Sequence, residues 1–314
     1  MMASEGTSKN EETFVIRRAT SLEDLQWVIV MAAEEGWNPC KKEAECYFSA
    51  GLTPYFYIGE LNGKRIGCIS LVKHGESVAT GGYYIVAKPY RGSGFGKKMY
   101  NSCLSYKDQC NIQTFSLTHL VDYHVKNGFK PGWPIKRYQF TASRAAEGLA
   151  SCQLPPSVEQ ILPASQADFE KLFAYSADLL GSSQICKSLL AAWLCHLQES
   201  SWAAIDKNGE VVGYLIMSEI IRFPKEGYLI APLFANSAAI ACSLLKVAAE
   251  FASANDPGHK LRVNIPVDFK WEFVRILEEE FGARLSLDLI FMANKEIPSK
   301  DLSKVYSLTC VHIL

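Results

Sequence analysis

Between Tyr83 and Tyr100 the chain reads YYIVAKPYRGSGFGKKMY. A run of β-branched and aromatic residues breaks at Pro89, three alternate glycines follow (Gly92, Gly94, Gly96), and a basic, helix-like stretch begins at Lys97. Without Cβ atoms, glycines let backbone amides converge and a ligand come close. A helix starting at the same place adds its unpaired N–H groups and the positive end of its dipole. Arg91, Gly92, Ser93, Gly94, Phe95 and Gly96 therefore have the makings of an anion cradle, with Lys97 and Lys98 adding charge. A mere tight turn is the other reading of the same glycines. A dinucleotide fingerprint is excluded because Lys97 stands where its last glycine belongs, and a P-loop because it needs glycine at 91 and Ser or Thr at 98.

The elements that would position this turn are a strand over roughly 79–87, the turn itself at 88–96 and a helix over 97–108, whose buried face carries Met99, Cys103 and Leu104. Around it, the chain states one plan twice. VIRRATSLEDLQWVIVMAA (15–33) has a counterpart in QILPASQADFEKLFAYSAD (160–178). In each, Ser with an acidic residue three places later (Ser21 and Asp24, Ser165 and Asp168) predicts a capped helix start. YFYIGELNGKRIGCISLV (55–72) and WAAIDKNGEVVGYLIMSE (202–219) both read strand, Asn-Gly, strand, with Asn62 and Asn208 146 residues apart. Asn-Gly predicts a two-residue hairpin turn, both positions at positive φ. A polar, Pro-containing stretch, SRAAEGLASCQLPPS, falls between the two copies of this α+β unit.

The bulk properties agree with two ordinary folded units. A chain of 314 residues is long for one core, and 48% apolar with 21% charged residues is a globular composition. The formal charge of −1 provides no global field for nucleic acid or an anionic membrane. Ten cysteines without a C-x-x-C pair, and six histidines without ligand spacing beside them, predict buried thiols in a reducing compartment and no metal site. MMASEGTSKNEE lacks the apolar core of a signal peptide, and no uninterrupted apolar run approaches the roughly 20 residues of a membrane span. The expected location is the cytoplasm. Oligomeric state has no signal in the sequence.

With the turn and its strand in view, the pattern Val86, Pro89, Tyr90, Arg91-x-x-Gly94-x-Gly96 followed by a helix resembles the pyrophosphate motif of the GNAT acetyl-CoA-dependent N-acetyltransferases. VDYHVKNGFK (121–130), a short helix ending in Gly128-Phe129, is similar to that superfamily's second signature. EEGWNPC (34–40) is similar to a segment of a subgroup that carries a second, diverged GNAT-like domain. The implied fold is α+β: tandem GNAT-like domains, each a mixed central β-sheet flanked by helices. The expected division is a disordered 1–12, a catalytic domain 13–145 that binds acetyl-CoA, a linker 146–158 and a diverged domain 159–314.

The resemblance further implies that backbone groups along Tyr84, Ile85 and Val86 hold the acetyl-pantetheine arm and that amides from Arg91 to Gly96 take the pyrophosphate. The implied reaction is direct attack of a neutral amine on the thioester, with a base to deprotonate the amine and an acid for the leaving thiolate. The superfamily's tyrosine acid sits four residues before the Gly-Phe glycine; that place holds His124, with Tyr123 one residue earlier. Glu34 and Glu35 are the acidic residues beside the acceptor loop, and a carboxylate against Trp37 would be desolvated enough to serve as the base. Trp37 and Asn38 are expected to line the acceptor pocket, because the GWNP loop is the kind of segment that carries function. In the second unit YLIAPLFANSAAIACSLL (228–245) lacks the glycine turn, and Leu233, Phe234 and Ala235 would obstruct a phosphate, so one coenzyme per chain is expected. A small-molecule amine is the expected acceptor. A protein lysine, a non-catalytic acyl-CoA-binding or regulatory role, and a structural interaction module are the alternatives.

Overall fold

The structure is a computed structural model that describes residues 13–104, 109–180, 183–221, 227–299 and 301–309. The expected disordered stretch 1–12, the end of the expected helix 97–108 and Cys310 lie outside the described residues.

The first half runs β1 (Phe14–Arg18), α1 (Leu22–Glu34), α2 (Glu43–Ser49), β2 (Phe56–Leu61), β3 (Lys64–Lys73), β4 (Val78–Val86), α3 (Phe95–Leu104), β5 (Asn111–Leu117), α4 (Val121–Lys126) and β6 (Lys130–Thr141). After α5 (Ala142–Gly148) the order repeats: β7 (Val158–Pro163), α6 (Phe169–Leu180), α7 (Gln184–His196), β8 (Ser201–Asp206), β9 (Val211–Glu219), β10 (Gly227–Ala235), α8 (Ala238–Asn255), β11 (Lys260–Pro266), α9 (Trp271–Phe281) and β12 (Arg284–Ala293). A short extra strand, β13 (Val305–Ser307), follows.

The local signals act as expected in the first half and differ in the second. Ser21 Oγ accepts the Asp24 amide at 3.2 Å and starts α1, which buries Leu25, Val28, Ile29 and Ala32. Asp168, not Ser165, caps α6: its Oδ1 accepts the amides of Glu170 (2.9 Å) and Lys171 (3.2 Å), while Ser165 sits in a preceding 3-10 turn. Asn62 and Gly63 both have positive φ, 50° and 77°, and join β2 to β3 in two residues. In the second hairpin only Gly209 is left-handed (φ 75°). There Asp206 Oδ1 accepts from the amides of Asn208 (2.8 Å) and Glu210 (2.9 Å), which lengthens the turn and keeps Asn208 out of the left-handed region.

The thirteen strands among the described residues form one mixed sheet, ordered β1-β2-β3-β4-β5-β12-β6-β11-β10-β9-β8-β7, with β13 paired to β10. The order departs from two separate units at its centre. β12 of the second half pairs antiparallel with β5 of the first, and β6 of the first pairs antiparallel with β11 of the second. Each half thus closes with the other's last strand, and β12 and β6 also pair with one another. Chain order assigned 13–145 and 159–314 to separate domains; strand pairing places β6 with the second half and β12 with the first. Side chains follow the exchange: Tyr138 and Phe140 of β6 are buried in a core cluster with Leu244, Leu261 and Phe281. At roughly 1.5–3 kcal/mol for each fully buried large apolar side chain, this packing adds to what the ladders contribute in holding the exchange.

α8 is long and apolar enough to cross a membrane by length and composition, but its buried face, including Leu244, Leu245, Ala248 and Ala249, packs within the same core cluster. The nine described cysteines are free thiols; burial pushes those of Cys103 and Cys242 up to about 12.

Candidate active site

β4 and β5 pair in parallel over Val78–Asn111, Ala79–Ile112 and Thr80–Gln113, and there the ladder ends. Beyond that point the strands part, and a cavity of about 440 Å³ opens between Gly81–Tyr84 on one side and Thr114–Leu117 on the other. The parting begins at a bulge. Cys68 of β3 faces Ile85 and Ser70 faces Gly82, so Tyr83 and Tyr84 together oppose a single residue. A bulge releases backbone groups that a regular ladder would consume.

Tyr83 makes the bulge at φ 47°, costly for a residue with a Cβ. Its side chain is fully buried, and its hydroxyl donates to Glu43 Oε1 at 2.6 Å. Tyr47 donates to the same oxygen, and the Cys40 amide donates to Glu43 Oε2 at 2.7 Å. The buried carboxylate is thereby supplied with donors from three directions and fixes the strained residue in place.

At the far end of β4 the glycine turn is exposed, with Gly92 and Gly94 at φ 79° and 84°, and α3 begins at Phe95. The first amides of a helix lack intrahelical partners, so this turn directs donors outward at an exposed edge. A Cβ on Gly96 would lie 2.7 Å from the Tyr84 hydroxyl, which is why the third glycine is small. Phe95 is buried against Phe14, ring centroids 4.8 Å apart, and Ile85 is buried in the core. Lys97 and Lys98 are exposed on the first turn of α3. The Arg91 side chain, though partly exposed, folds back onto the strand end and the end of α1. Its Nε donates to the Val86 carbonyl at 2.8 Å and its Nη2 meets Glu35 Oε1 at 2.5 Å.

Of the other candidates, Glu35, Trp37, Asn38 and His124 line the cavity, and Glu34 and Tyr123 do not. Glu34, on the turn of α1 that faces solvent, is exposed. Glu35 reaches the cavity, where it is the partner of Arg91. Trp37 lies 6.4 Å from the Tyr83 ring, and Asn38, at φ 57°, leaves its buried Oδ1 without a hydrogen-bond partner among the described residues. His124 is half-buried on α4, edge-on to Tyr123 and Phe129, and its buried Nδ1 likewise has no partner among the described residues. Burial lowers its pKa from the ordinary 6.5, so the ring is uncharged at neutral pH. The ring is thus partly withdrawn from solvent. Tyr123 is 43% exposed and joins Tyr100, 6.4 Å away, in a cluster over Tyr84. Burial pushes the Tyr84 phenol well above its usual range and that of Tyr100 up to about 12.

The second half contributes directly. The 36–41 loop is tied to the end of β9: Ile221 donates to the Pro39 carbonyl and Lys41 to the Glu219 carbonyl, each at 2.8 Å, and the side chains of Lys41 and Glu219 form an ion pair. The exchanged strands and the adjoining β11 supply a wall that sequence reading missed: Arg137 and Gln139 from β6, Arg262 from β11, Ser286 and Leu287 from β12. The readable signal was a pair of polar residues at period two, Arg137 and Gln139, alternating with the apolar Tyr138 and Phe140.

The corresponding opening in the second half is closed. β10 and β11 pair over Gly227–Ile230 and Lys260–Val263 and then diverge, but β13 enters the gap. Ser307 Oγ accepts the Asn264 amide at 2.9 Å and donates to the Ile230 carbonyl at 2.7 Å, bridging the two strands. Leu233, Phe234 and Ala235 are buried there. Among the described residues, no three His, Cys, Asp or Glu side chains gather as metal ligands.

Comparison with known proteins places this geometry. The model of the acetyltransferase (GNAT) family matches residues 21–129. A holothin acyltransferase from Pseudoalteromonas sp. (strain SANK 73390) is 21% identical over 231 residues, covering 74% of this chain and 73% of that protein. In fold, the chain superposes on a candidate acetyltransferase from Pyrococcus horikoshii with TM-score 0.70 at 15% identity, over 99% of both chains. A tandem GNAT protein from the clavulanic acid biosynthesis pathway gives TM-score 0.64 at 14% identity, covering 92% of this chain and all of that one.

Proposed function

We propose that this chain, whose residues 21–129 match the model of the acetyltransferase (GNAT) family, is an N-acetyltransferase that moves an acetyl group from acetyl-CoA to the primary amine of a small molecule. The observation that carries this reading is the parting of β4 from β5 at Thr80 and Gln113, with the exposed glycine turn at the end of the same strand. One strand thereby offers released backbone groups to a thioester arm and, at the start of α3, outward amides to a diphosphate.

In this reading Tyr84 to Val86 hold the arm, and the amides between Arg91 and Gly96 hold the diphosphate. Arg91 acts as a staple, joining the turn to Glu35. His124, uncharged and facing the cavity, takes the proton shed by the attacking nitrogen and returns it to the departing sulfur. The new C–N bond forms as the C–S bond breaks, and the products are an N-acetyl amine and free coenzyme A. Trp37 and Asn38 border the acceptor, and the unpartnered Asn38 Oδ1 is suited to accept an N–H from it. A small acceptor is favoured over a protein lysine because the loop at 36–41 is fastened to β9 and does not present an open groove.

The test is release of free thiol from acetyl-CoA across a panel of small amines. Turnover that is lost in Gly94→Glu together with coenzyme affinity supports the proposal. Coenzyme binding without turnover of any amine would favour the non-catalytic acyl-CoA-binding reading instead.

A further inference from the structure

Resting on the transferase reading of the larger cavity, we propose that the acceptor amine also carries a neutral hydroxyl, bound in a second, inner cavity by Asn38, Ser218 and Asn264. This inner cavity, about 40 Å³, adjoins the larger one, and Trp37, Asn38 and Arg137 belong to the walls of both. An oxygen of water's size needs about 10–15 Å³ of such room, so the space suits a hydroxyl and the carbon that bears it.

The polar lining sets the chemistry. Asn264 is fully buried, and its Oδ1 accepts from Arg137 Nε at 2.8 Å. That bond fixes which way the amide faces, because a guanidinium donates and cannot accept. Asn264 Nδ2 is then left buried without a hydrogen-bond partner among the described residues, and so is Asn38 Oδ1. One is a donor and the other an acceptor. Ser218, 6% exposed, buries its Oγ at the same cavity, with only the weakly bonding Cys40 thiol beside it among the described residues. The Glu43 carboxylate in this wall is already held by Tyr47, Tyr83 and the Cys40 amide. A hydroxyl both donates and accepts, so it answers the two amide groups together. An ammonium cannot accept the Asn264 N–H, and a carboxylate cannot donate to Asn38. An amide oxygen has two lone pairs, so Asn38 can take the hydroxyl proton and still accept an N–H from the acceptor.

The experiment compares kcat/KM for a homologous series of ω-amino alcohols with that for alkylamines of equal length, a methyl standing for the hydroxyl. In parallel, calorimetry measures binding of the N-acetylated members. One length of amino alcohol should be preferred by about tenfold or more, because a site built for a hydroxyl rejects the analogue that lacks it. Asn264→Asp keeps the oxygen that Arg137 uses and removes the donor; Ser218→Ala removes the neighbouring hydroxyl. Each should cut the preference by about threefold or more, with a cooperative thermal transition confirming an intact fold. If Asn264→Asp does not fold, Ser218→Ala decides. Equal use of amino alcohols and alkylamines means that the inner cavity takes water only; it overturns the inference and leaves the transferase standing. A binding preference without any turnover, lost in the variants, supports the hydroxyl site and overturns the transferase. Absence of both turnover and binding preference, or a preference unchanged in the variants, overturns the inference.

Discussion

The guanidinium of Arg91 spans from the Val86 carbonyl, 2.8 Å from its Nε, to Glu35 Oε1, 2.5 Å from its Nη2, and so couples the glycine turn to the start of the 36–41 loop. Both side chains are partly exposed, 45% and 20%, so the pair contributes at most about 1 kcal/mol to stability. Glu35→Gln is expected to lower kcat/KM by less than about tenfold and to raise KM for acetyl-CoA. A loss of about 10²–10⁴ in kcat would instead make Glu35 the proton acceptor. Steady-state kinetics decides between them.

The bulge depends on a different contact. Tyr83→Phe removes one of the donors on the buried Glu43 carboxylate while keeping the ring's packing. The expected destabilisation is about 1–3 kcal/mol, read by urea unfolding, with a weaker affinity for acetyl-CoA in the folded variant. Unchanged coenzyme affinity would mean that the bulge holds its shape without this bond.

His124 sets a pH dependence. Its folded pKa lies below 6.5 because burial disfavours the imidazolium. Above 6.5 the ring is uncharged in both folded and unfolded chains. As pH falls below that value the unfolded chain takes up the proton first, so folding stability declines. Activity follows the folded pKa: the acid limb of kcat should fall below pH 6.5 and disappear in His124→Gln, whose kcat at neutral pH drops by about 10²–10⁴. An acid limb identical in the variant would remove His124 from the proton path.

Ser307 tests the plug in the second half. Ser307→Ala leaves the buried Asn264 amide and Ile230 carbonyl without their bridge, and a loss of about 1–3 kcal/mol is expected by thermal or urea unfolding. Coenzyme stoichiometry should remain one per chain, measured by calorimetry, because the second half has no glycine turn to hold a diphosphate.

What could be read from the sequence was what nearby residues decide. Ser21 announced α1, Asn62-Gly63 announced its hairpin, and Gly92 and Gly94 adopt the left-handed backbone that the turn requires. Where a neighbouring side chain offered a better bond, the same signals failed: Asp168 displaced Ser165 as a cap, and Asp206 rebuilt the second Asn-Gly turn. The cavity wall was the larger omission. Arg137 and Arg262 share one wall only because two strands far apart in the chain pair with each other, and no local propensity records that pairing.

Because β6 and β12 each complete the opposite half, the connection that runs from α5 through residues 149–157 carries no ladder of its own. A protease nick there would sever the polypeptide yet leave two fragments interlocked, co-migrating until denatured. Either fragment made alone would lack its closing strand and expose an unpaired sheet edge. Each half is therefore expected to need the other in order to fold.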